Sequence, residues 1–237
     1  MRRLKQFLKR LLPRTLRERL DPPYARLSYS QEGEDLVLAR IFEGQYQGFY
    51  VDVGAHHPLK FSNTQIFYLR GWRGINVDAC PGSMDLFKKL RPRDINLELA
   101  ISERPESLTY YQFNENALNG FDRNMAAKAE KVSFKIVGTK EIQTVTLADV
   151  LDKYLPPGQT IDFMNVDVEG LDEQVLRSND WNKYRPRVIL AEDVETYKWP
   201  AVSHSGVAKM LAEHGYELAC KTMNTLIFSR EQHPHEQ

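Results

Sequence analysis

Acidic side chains follow four of the short apolar segments in the sequence, at the points where predicted strands end. A single acid after a strand often caps the next helix, but four such sets on one rim would repel one another. Together they favour a site that binds hydroxyl groups, an ammonium group or a metal cation. The four sets are Asp52, Asp78, Asp167 with Glu169, and Glu192 with Asp193.

The segment after the first acid indicates which kind of ligand this site could take. Asp52 is followed by Gly54, and a glycine lets the backbone approach a ligand closely. Asp78 ends the next predicted strand, where an acid can accept two hydrogen bonds from a ribose diol. NAD enzymes share this arrangement but need further glycines around the pyrophosphate, and His56 and Pro58 stand there instead. S-adenosylmethionine has no phosphate and needs only one close approach of the backbone, so it fits this segment better than NAD does. A nicotinamide enzyme is therefore the weaker alternative.

The elements that must position these acids alternate between strand and helix. Short apolar strands between helices predict an α/β fold with an open, mostly parallel sheet, and the last two strands predict an antiparallel hairpin at one edge. Residues 114–140 are predicted to be a long loop with one short helix over 124–131. The predicted strands are 48–54, 74–78, 96–101, 108–113, 161–166, 188–191, 216–220 and 224–228, and the predicted helices are 30–42, 63–69, 85–90, 146–155, 172–176 and 207–214.

Composition excludes several classes of protein. With 42% hydrophobic and 27% charged residues, the chain is not largely disordered, and no apolar run approaches the roughly 20 residues of a transmembrane helix. Two cysteines, Cys80 and Cys220, exclude a disulfide scaffold and a multi-cysteine zinc site. Their expected state is two reduced thiols in a cytoplasmic protein.

The net charge of zero hides a basic N-terminal segment, residues 1–27, before the predicted main domain of residues 28–237. Residues 1–19 carry eight Lys or Arg and one Glu, a sum of +7, so the remaining residues carry −7. An acidic domain argues against nucleic acid as the main partner. Residues 1–12 predict a basic amphipathic helix. Two alternatives remain open: the helix packs on the domain or on a second subunit of a homodimer, or it makes peripheral contact with an anionic membrane.

Four blocks of sequence carry a resemblance to a known family. In this order, over roughly residues 28–228, they resemble the FkbM family of S-adenosylmethionine-dependent methyltransferases. The resemblance implies a seven-stranded Rossmann-like methyltransferase fold and O-methylation, often of sugars. The blocks are Tyr50-Val51-Asp52-Val53-Gly54-Ala55, Gly71-Trp72-Arg73-Gly74-Ile75-Asn76-Val77-Asp78, Leu99-Ala100-Ile101-Ser102 and Asn165-Val166-Asp167-Val168-Glu169-Gly170.

The resemblance also implies a cofactor site. Asp52 and Gly54 would hold the methionine end of S-adenosylmethionine, Asp78 the ribose, and residues 100–102 the edge of the adenine. The complete set of expected cofactor-binding residues is Asp52, Gly54, Ala55, Asn63, Asp78, Ala100, Ile101, Ser102 and Asp167.

Methyl transfer to a hydroxyl needs a base, or a metal that lowers the pKa of the hydroxyl. The candidate catalytic residues are His56, His57, Asp167, Glu169 and His204. A divalent cation such as Mg²⁺ would suit the carboxylates of Asp167, Glu192 and Asp193.

We therefore expect a cytoplasmic O-methyltransferase that acts on a sugar hydroxyl of a glycan or glycoconjugate. If residues 1–12 bind membrane, the protein would lie at the inner face, where lipid-linked glycans are built. The alternatives are methylation of a small natural product or of a nitrogen acceptor, and a catalytically silent module that only binds the cofactor.

Overall fold

Helices and parallel strands alternate along the chain, as the sequence predicts. The computed structural model describes residues 24–115, 119–121, 134–193, 196 and 198–230; the predicted helices over 1–12 and 124–131 lie outside them. The elements in chain order are α1 (Glu34–Ile41), β1 (Phe49–Val53), α2 (Gln65–Arg70), β2 (Arg73–Asp78), α3 (Ser83–Leu90), β3 (Ile95–Glu98), β4 (Ala100–Ile101), β5 (Ser107–Phe113), β6 (Ile136–Val145), α4 (Leu147–Tyr154), β7 (Phe163–Val166), α5 (Asp172–Arg177), β8 (Val188–Glu192), a 3₁₀ helix (Trp199–His204), α6 (Gly206–Glu213), β9 (Glu217–Lys221) and β10 (Thr225–Ser229).

A seven-stranded sheet forms the centre of the fold, in the order β3-β2-β1-β7-β8-β10-β9. The first five of these strands pair in parallel, while β10 pairs antiparallel with both β8 and β9. This confirms the predicted mostly parallel sheet with an antiparallel C-terminal hairpin. Helices lie along the sheet because its strands are apolar on both faces and must be covered on both. The strand order changes direction between β1 and β7, where ligands bind in open α/β sheets.

A second sheet of three strands, in the order β4-β6-β5, departs from the prediction in two places. The predicted strand 96–101 divides at Leu99: β3 joins the large sheet and β4 joins the small one. The prediction of a loop over 114–140 was wrong for residues 136–140, which belong to the ten-residue strand β6. Most of β6 is exposed or half-buried, so it lacks the apolar pattern of a core strand, and pairing with β5 stabilises it.

Two apolar clusters cover the two faces of the large sheet. One includes Val51, Val53 and Met164, and the other includes Tyr50 and Trp72. Successive residues of β1 therefore alternate between the clusters, as the pleat of a strand requires. In the described ranges, no helix combines the length and the hydrophobicity that a bilayer crossing requires.

The buried guanidinium of Arg91 joins the end of α3 to the loop that follows β1. Arg91 has no exposed surface. Its Nη2 donates to the carbonyl of Pro58 (2.6 Å) and to Ser62 Oγ (2.7 Å), its Nη1 donates to Thr64 Oγ1 (2.7 Å), and its Nε donates to Gln65 Oε1 (3.0 Å). A buried charge is stable only when it is paired and hydrogen-bonded, so Arg91 fixes this loop and depends on it.

We expect Arg91→Met to lower the free energy of unfolding by about 3 kcal/mol or more, because it leaves several buried acceptors without a donor. The matched control is Arg104→Met, since Arg104 is 78% exposed in an ion pair with Glu106; it should change stability by less than about 0.5 kcal/mol. Urea unfolding followed by circular dichroism measures both. Equal effects of the two variants would contradict the structural role of Arg91.

Candidate active site

Four of the six predicted acids line a cavity of about 320 Å³ at the carboxyl ends of β1, β2 and β7: Asp52, Asp78, Asp167 and Glu169. This volume lies within the roughly 300–1,000 Å³ that small-molecule sites occupy. A second cavity, of about 20 Å³, shares part of its wall with the first. The first is lined by Gln31, Asp52, Gly54, Ala55, His56, His57, Phe61, Asp78, Ala79, Cys80, Pro81, Gly82, Ser83, Tyr110, Asn119, Gly120, Phe121, Asn165, Asp167, Val168 and Glu169.

Asp78 ends β2 on the wall of the large cavity. Its Oδ1 accepts a hydrogen bond from the backbone N–H of Cys80 (2.7 Å), and its Oδ2 accepts one from that of His56 (2.8 Å). Burial raises the pKa of this carboxyl, while the two N–H donors act against the rise. The two bonds orient the carboxylate and leave each oxygen with acceptor capacity toward a ligand.

Asp52 is buried, and other side chains of the protein bind both of its oxygens. Its Oδ2 accepts from Thr64 Oγ1 (2.7 Å) and its Oδ1 from Asn165 Nδ2 (2.9 Å). Burial raises its pKa, and the Thr64 hydrogen bond opposes this. Asp52 therefore ties the loop after β1 to β7, in addition to lining the cavity.

Gly54 is required by a contact within the protein. Its φ is +82°, and a Cβ at this position would lie 1.6 Å from the carbonyl oxygen of Asp167. The loop after β1 therefore packs directly on the loop after β7. The sequence analysis attributes this glycine to the close approach of a ligand. In the structure, the group that approaches it closely is the backbone carbonyl of Asp167.

Strained backbone concentrates at the cavity. The described residues other than glycine that have positive φ are His56 (49°), Phe61 (55°) and Glu169 (53°), and all three line the large cavity. Such conformations cost about 1–3 kcal/mol each and persist where the surroundings hold them, often at functional sites.

The three candidate histidines lie in different surroundings. The Nδ1 atom of His57 accepts hydrogen bonds from the backbone N–H groups of Leu59 and Lys60, both at 3.0 Å, so its proton is on Nε2 and the ring can only donate to a ligand. His56 also lines the cavity; burial lowers its pKa, so its ring is neutral near pH 7. His204 is exposed at the end of the 3₁₀ helix and is not among the residues that line the cavity. His56 is therefore the best-placed histidine base.

Three carboxylates form a compact cluster where the two cavities meet. One oxygen from each of Asp167, Glu169 and Glu192 lies within 4.8 Å of the others. Burial, followed by the charges of neighbouring acids, raises the pKa of Glu169 and of Glu192 to about 8 and raises that of Asp167 well above its usual value. Asp193, also predicted as a metal ligand, lies outside this cluster; its Oδ2 accepts from Ser205 Oγ (2.6 Å).

The remaining predicted cofactor residues divide between three places. Ala55 lines the large cavity, and Asn63 is buried beside the small one. Ala100 and Ile101 form β4 and Ser102 follows it; all three are buried and are not among the residues that line the large cavity.

Comparison with known proteins identifies the family. The sequence profile of the methyltransferase FkbM domain matches residues 52–218 of this chain. The chain belongs to the FkbM methyltransferase family. The match includes the loop after β1, the acid that ends β2 and the cluster after β7, so this FkbM domain contains the whole wall of the large cavity except Gln31.

A solved structure is similar to this FkbM domain in fold at low sequence identity, and a second one matches it more weakly. A methyltransferase FkbM from Methylobacillus flagellatus KT shares 11% identity with a TM-score of 0.50; the match covers 94% of this chain, which spans 57% of that protein's length. An O-methyltransferase from Bacillus cereus, solved in complex with SAH, shares 13% identity with a TM-score of 0.39, covering 95% of each chain. Comparison with curated proteins gives no match.

Sequence reasoning missed several residues of the cavity in this FkbM domain. Tyr110 and Phe121, whose ring centroids are 4.9 Å apart, lie on the wall near Cys80, and Asn119 donates to Cys80 Sγ (3.8 Å). Phe61 also lines the cavity. No motif marks these side chains, because the second sheet and the left-handed turn at Phe61 bring them there.

We expect the free energy of unfolding of the cation-free FkbM domain to fall as pH rises from about 5 to 8. Unfolded glutamates release their protons near pH 4.3, whereas native Glu169 and Glu192 keep theirs to about pH 8. The native state therefore binds more protons in this range, and deprotonation destabilises it. Glu192→Gln should reduce the slope; Glu217→Gln, at an exposed position, should not. Urea unfolding in EDTA between pH 5 and 8.5 measures this, and an unchanged slope for Glu192→Gln would refute it.

Proposed function

We propose that the protein is an S-adenosylmethionine-dependent O-methyltransferase that acts on a sugar hydroxyl of a glycan or glycoconjugate. The observation that carries the proposal is the oriented carboxylate of Asp78 on the wall of the large cavity, within a chain of the FkbM family. When bound, S-adenosylmethionine supplies an electrophilic methyl group. The residues of this chain bind the cofactor, orient the acceptor and remove the proton of its hydroxyl.

The lining of the large cavity fits the parts of this cofactor. Asp78 has acceptor capacity for the ribose hydroxyls, because backbone N–H groups hold it in place without saturating it. The rings of Tyr110 and Phe121 line the same cavity, and aromatic faces suit adenine. Glu169 lines the cavity at the end where it meets the carboxylate cluster, and its carboxyl oxygens can accept hydrogen bonds from the ammonium group.

Two arrangements of residues support removal of the hydroxyl proton. His56 lines the cavity as a neutral ring, so it can accept a proton. Asp167, Glu169 and Glu192 would hold a divalent cation such as Mg²⁺, which lowers the pKa of a bound hydroxyl and relieves the repulsion between the acids. These residues fit such a cation because hard cations prefer carboxylate oxygens, and the three carboxylates lie close together.

The sugar acceptor is supported by the polarity of the site beyond the cofactor residues. Carboxylates accept hydrogen bonds from neighbouring hydroxyls, and Asn165 adds an amide to the wall they share. A carbohydrate presents several hydroxyls at once, so it can satisfy such a wall better than an apolar acceptor can.

The cofactor proposal is tested by calorimetry with S-adenosylhomocysteine. We expect binding to the unmodified protein and a weakening of about tenfold or more in Asp78→Asn, because a charged hydrogen-bond acceptor to the ribose is lost. Asp85→Asn is the matched control, since Asp85 is 81% exposed on α3, and it should bind like the unmodified protein. Absence of binding in a folded sample would refute the proposed function.

The base is tested by labelled methyl transfer to a panel of glycans. Extensive chelation should lower the rate, and readdition of Mg²⁺ should restore it. His56→Gln should lower the rate by about 100-fold, within the range for loss of a general base. His57→Gln is the comparison, because His57 Nδ1 is already occupied; it should leave the pH dependence unchanged. A rate that withstands chelation would exclude the cation and leave His56 as the direct base.

A further inference from the structure

The small cavity is bordered by carboxyl and amide oxygen atoms, which are the kinds of atom that suit a hard cation. Its volume of about 20 Å³ is enough for one water-sized species. Asp167, Glu192 and Asn63 border it. Two further acids on its wall are already bound within the protein: Glu32 accepts from the backbone N–H of Met223 and Asn224, and Glu34 accepts from Thr225 Oγ1.

Asn63 contributes an oxygen with no hydrogen-bond partner in the described part of the chain. The residue is 8% exposed, and its Oδ1 is buried and unpaired, although buried amide oxygens are nearly always bonded. Its Nδ2 donates to Asn165 Oδ1 at 2.9 Å, so the oxygen points away from Asn165. Asn63 borders the small cavity and is not among the residues that line the large one.

A chain of hydrogen bonds fixes the orientation of this amide. Arg91 can only donate, so Thr64 Oγ1 accepts from it and donates its own proton to Asp52. The Asp52 carboxylate accepts from Asn165 Nδ2, which turns Asn165 Oδ1 toward Asn63. Asn63 must then offer its nitrogen to Asn165, and its oxygen cannot exchange places with that nitrogen without breaking the chain.

We propose that Asn63 is a ligand of a divalent cation through Oδ1, together with Asp167 and Glu192, in the small cavity. Amide and carboxylate oxygens are the ligands that hard cations prefer, and an ammonium group carried on a larger molecule would not fit about 20 Å³. The inference rests on the cation of the proposed function and reassigns Asn63 from the cofactor to the metal. It implies that the cation binds without the cofactor.

The test is titration of the full-length, cofactor-free protein with Mn²⁺, with free Mn²⁺ measured by electron paramagnetic resonance. We expect one Mn²⁺ site in the unmodified protein and a loss of about tenfold or more in affinity in Asn63→Leu. Asn63→Asp keeps an oxygen at this position and should stay within threefold of the unmodified protein. Asn179→Leu is the matched control: Asn179 is equally buried and also has an unpaired Oδ1, but it does not border either cavity, so Mn²⁺ affinity should not change.

Calorimetry with S-adenosylhomocysteine on the same variants separates this inference from the proposed function. Asn63→Leu should bind S-adenosylhomocysteine within threefold of the unmodified protein. The inference is overturned if the unmodified protein binds no Mn²⁺, if Asn63→Asp loses affinity as Asn63→Leu does, or if Asn63→Leu loses S-adenosylhomocysteine and keeps Mn²⁺. Mn²⁺ binding without S-adenosylhomocysteine binding would instead overturn the cofactor proposal alone.

Discussion

The site depends on the burial of one positive charge. Arg91 lies outside both cavities, yet its guanidinium binds three parts of the loop between β1 and α2 and, through Thr64, holds the carboxylate of Asp52. Because an arginine has donors and no acceptor, it imposes a direction on every hydrogen bond that follows. The direction of the hydrogen bonds in the loop that carries His56, Phe61 and Asn63 is therefore fixed, and Asn63 Oδ1 is left unpaired in the described part of the chain.

The acids of the site lie in two different environments. Asp52 and Asp78 accept hydrogen bonds from the protein, which supports their negative charge. Asp167, Glu169 and Glu192 lie close together, and burial and mutual repulsion favour their protonated forms. In the proposed function, acids of the first kind build a wall for the cofactor, whereas those of the second kind bind a cation.

The sequence predicts those parts of the structure that depend on local pattern. The strand ends at Asp52, Asp78 and Asp167 follow from apolar runs bounded by acids, because a buried parallel strand must be apolar on both faces. The strand β6 could not be predicted, since its neighbours in space, and not its own residues, stabilise it. Arg91 could not be identified either, because a buried arginine has the same local sequence as an exposed one.

The contact between Gly54 and the carbonyl of Asp167 has a consequence for how this domain can change during evolution. The two residues lie in separate sequence blocks, but a side chain at residue 54 would clash with the carbonyl of Asp167, so each loop limits what the other can become. If recombination exchanged one block alone, the new loop would pack against a loop with which it had not evolved. The heritable unit in this domain therefore includes both blocks, and an exchange that separates them is disfavoured.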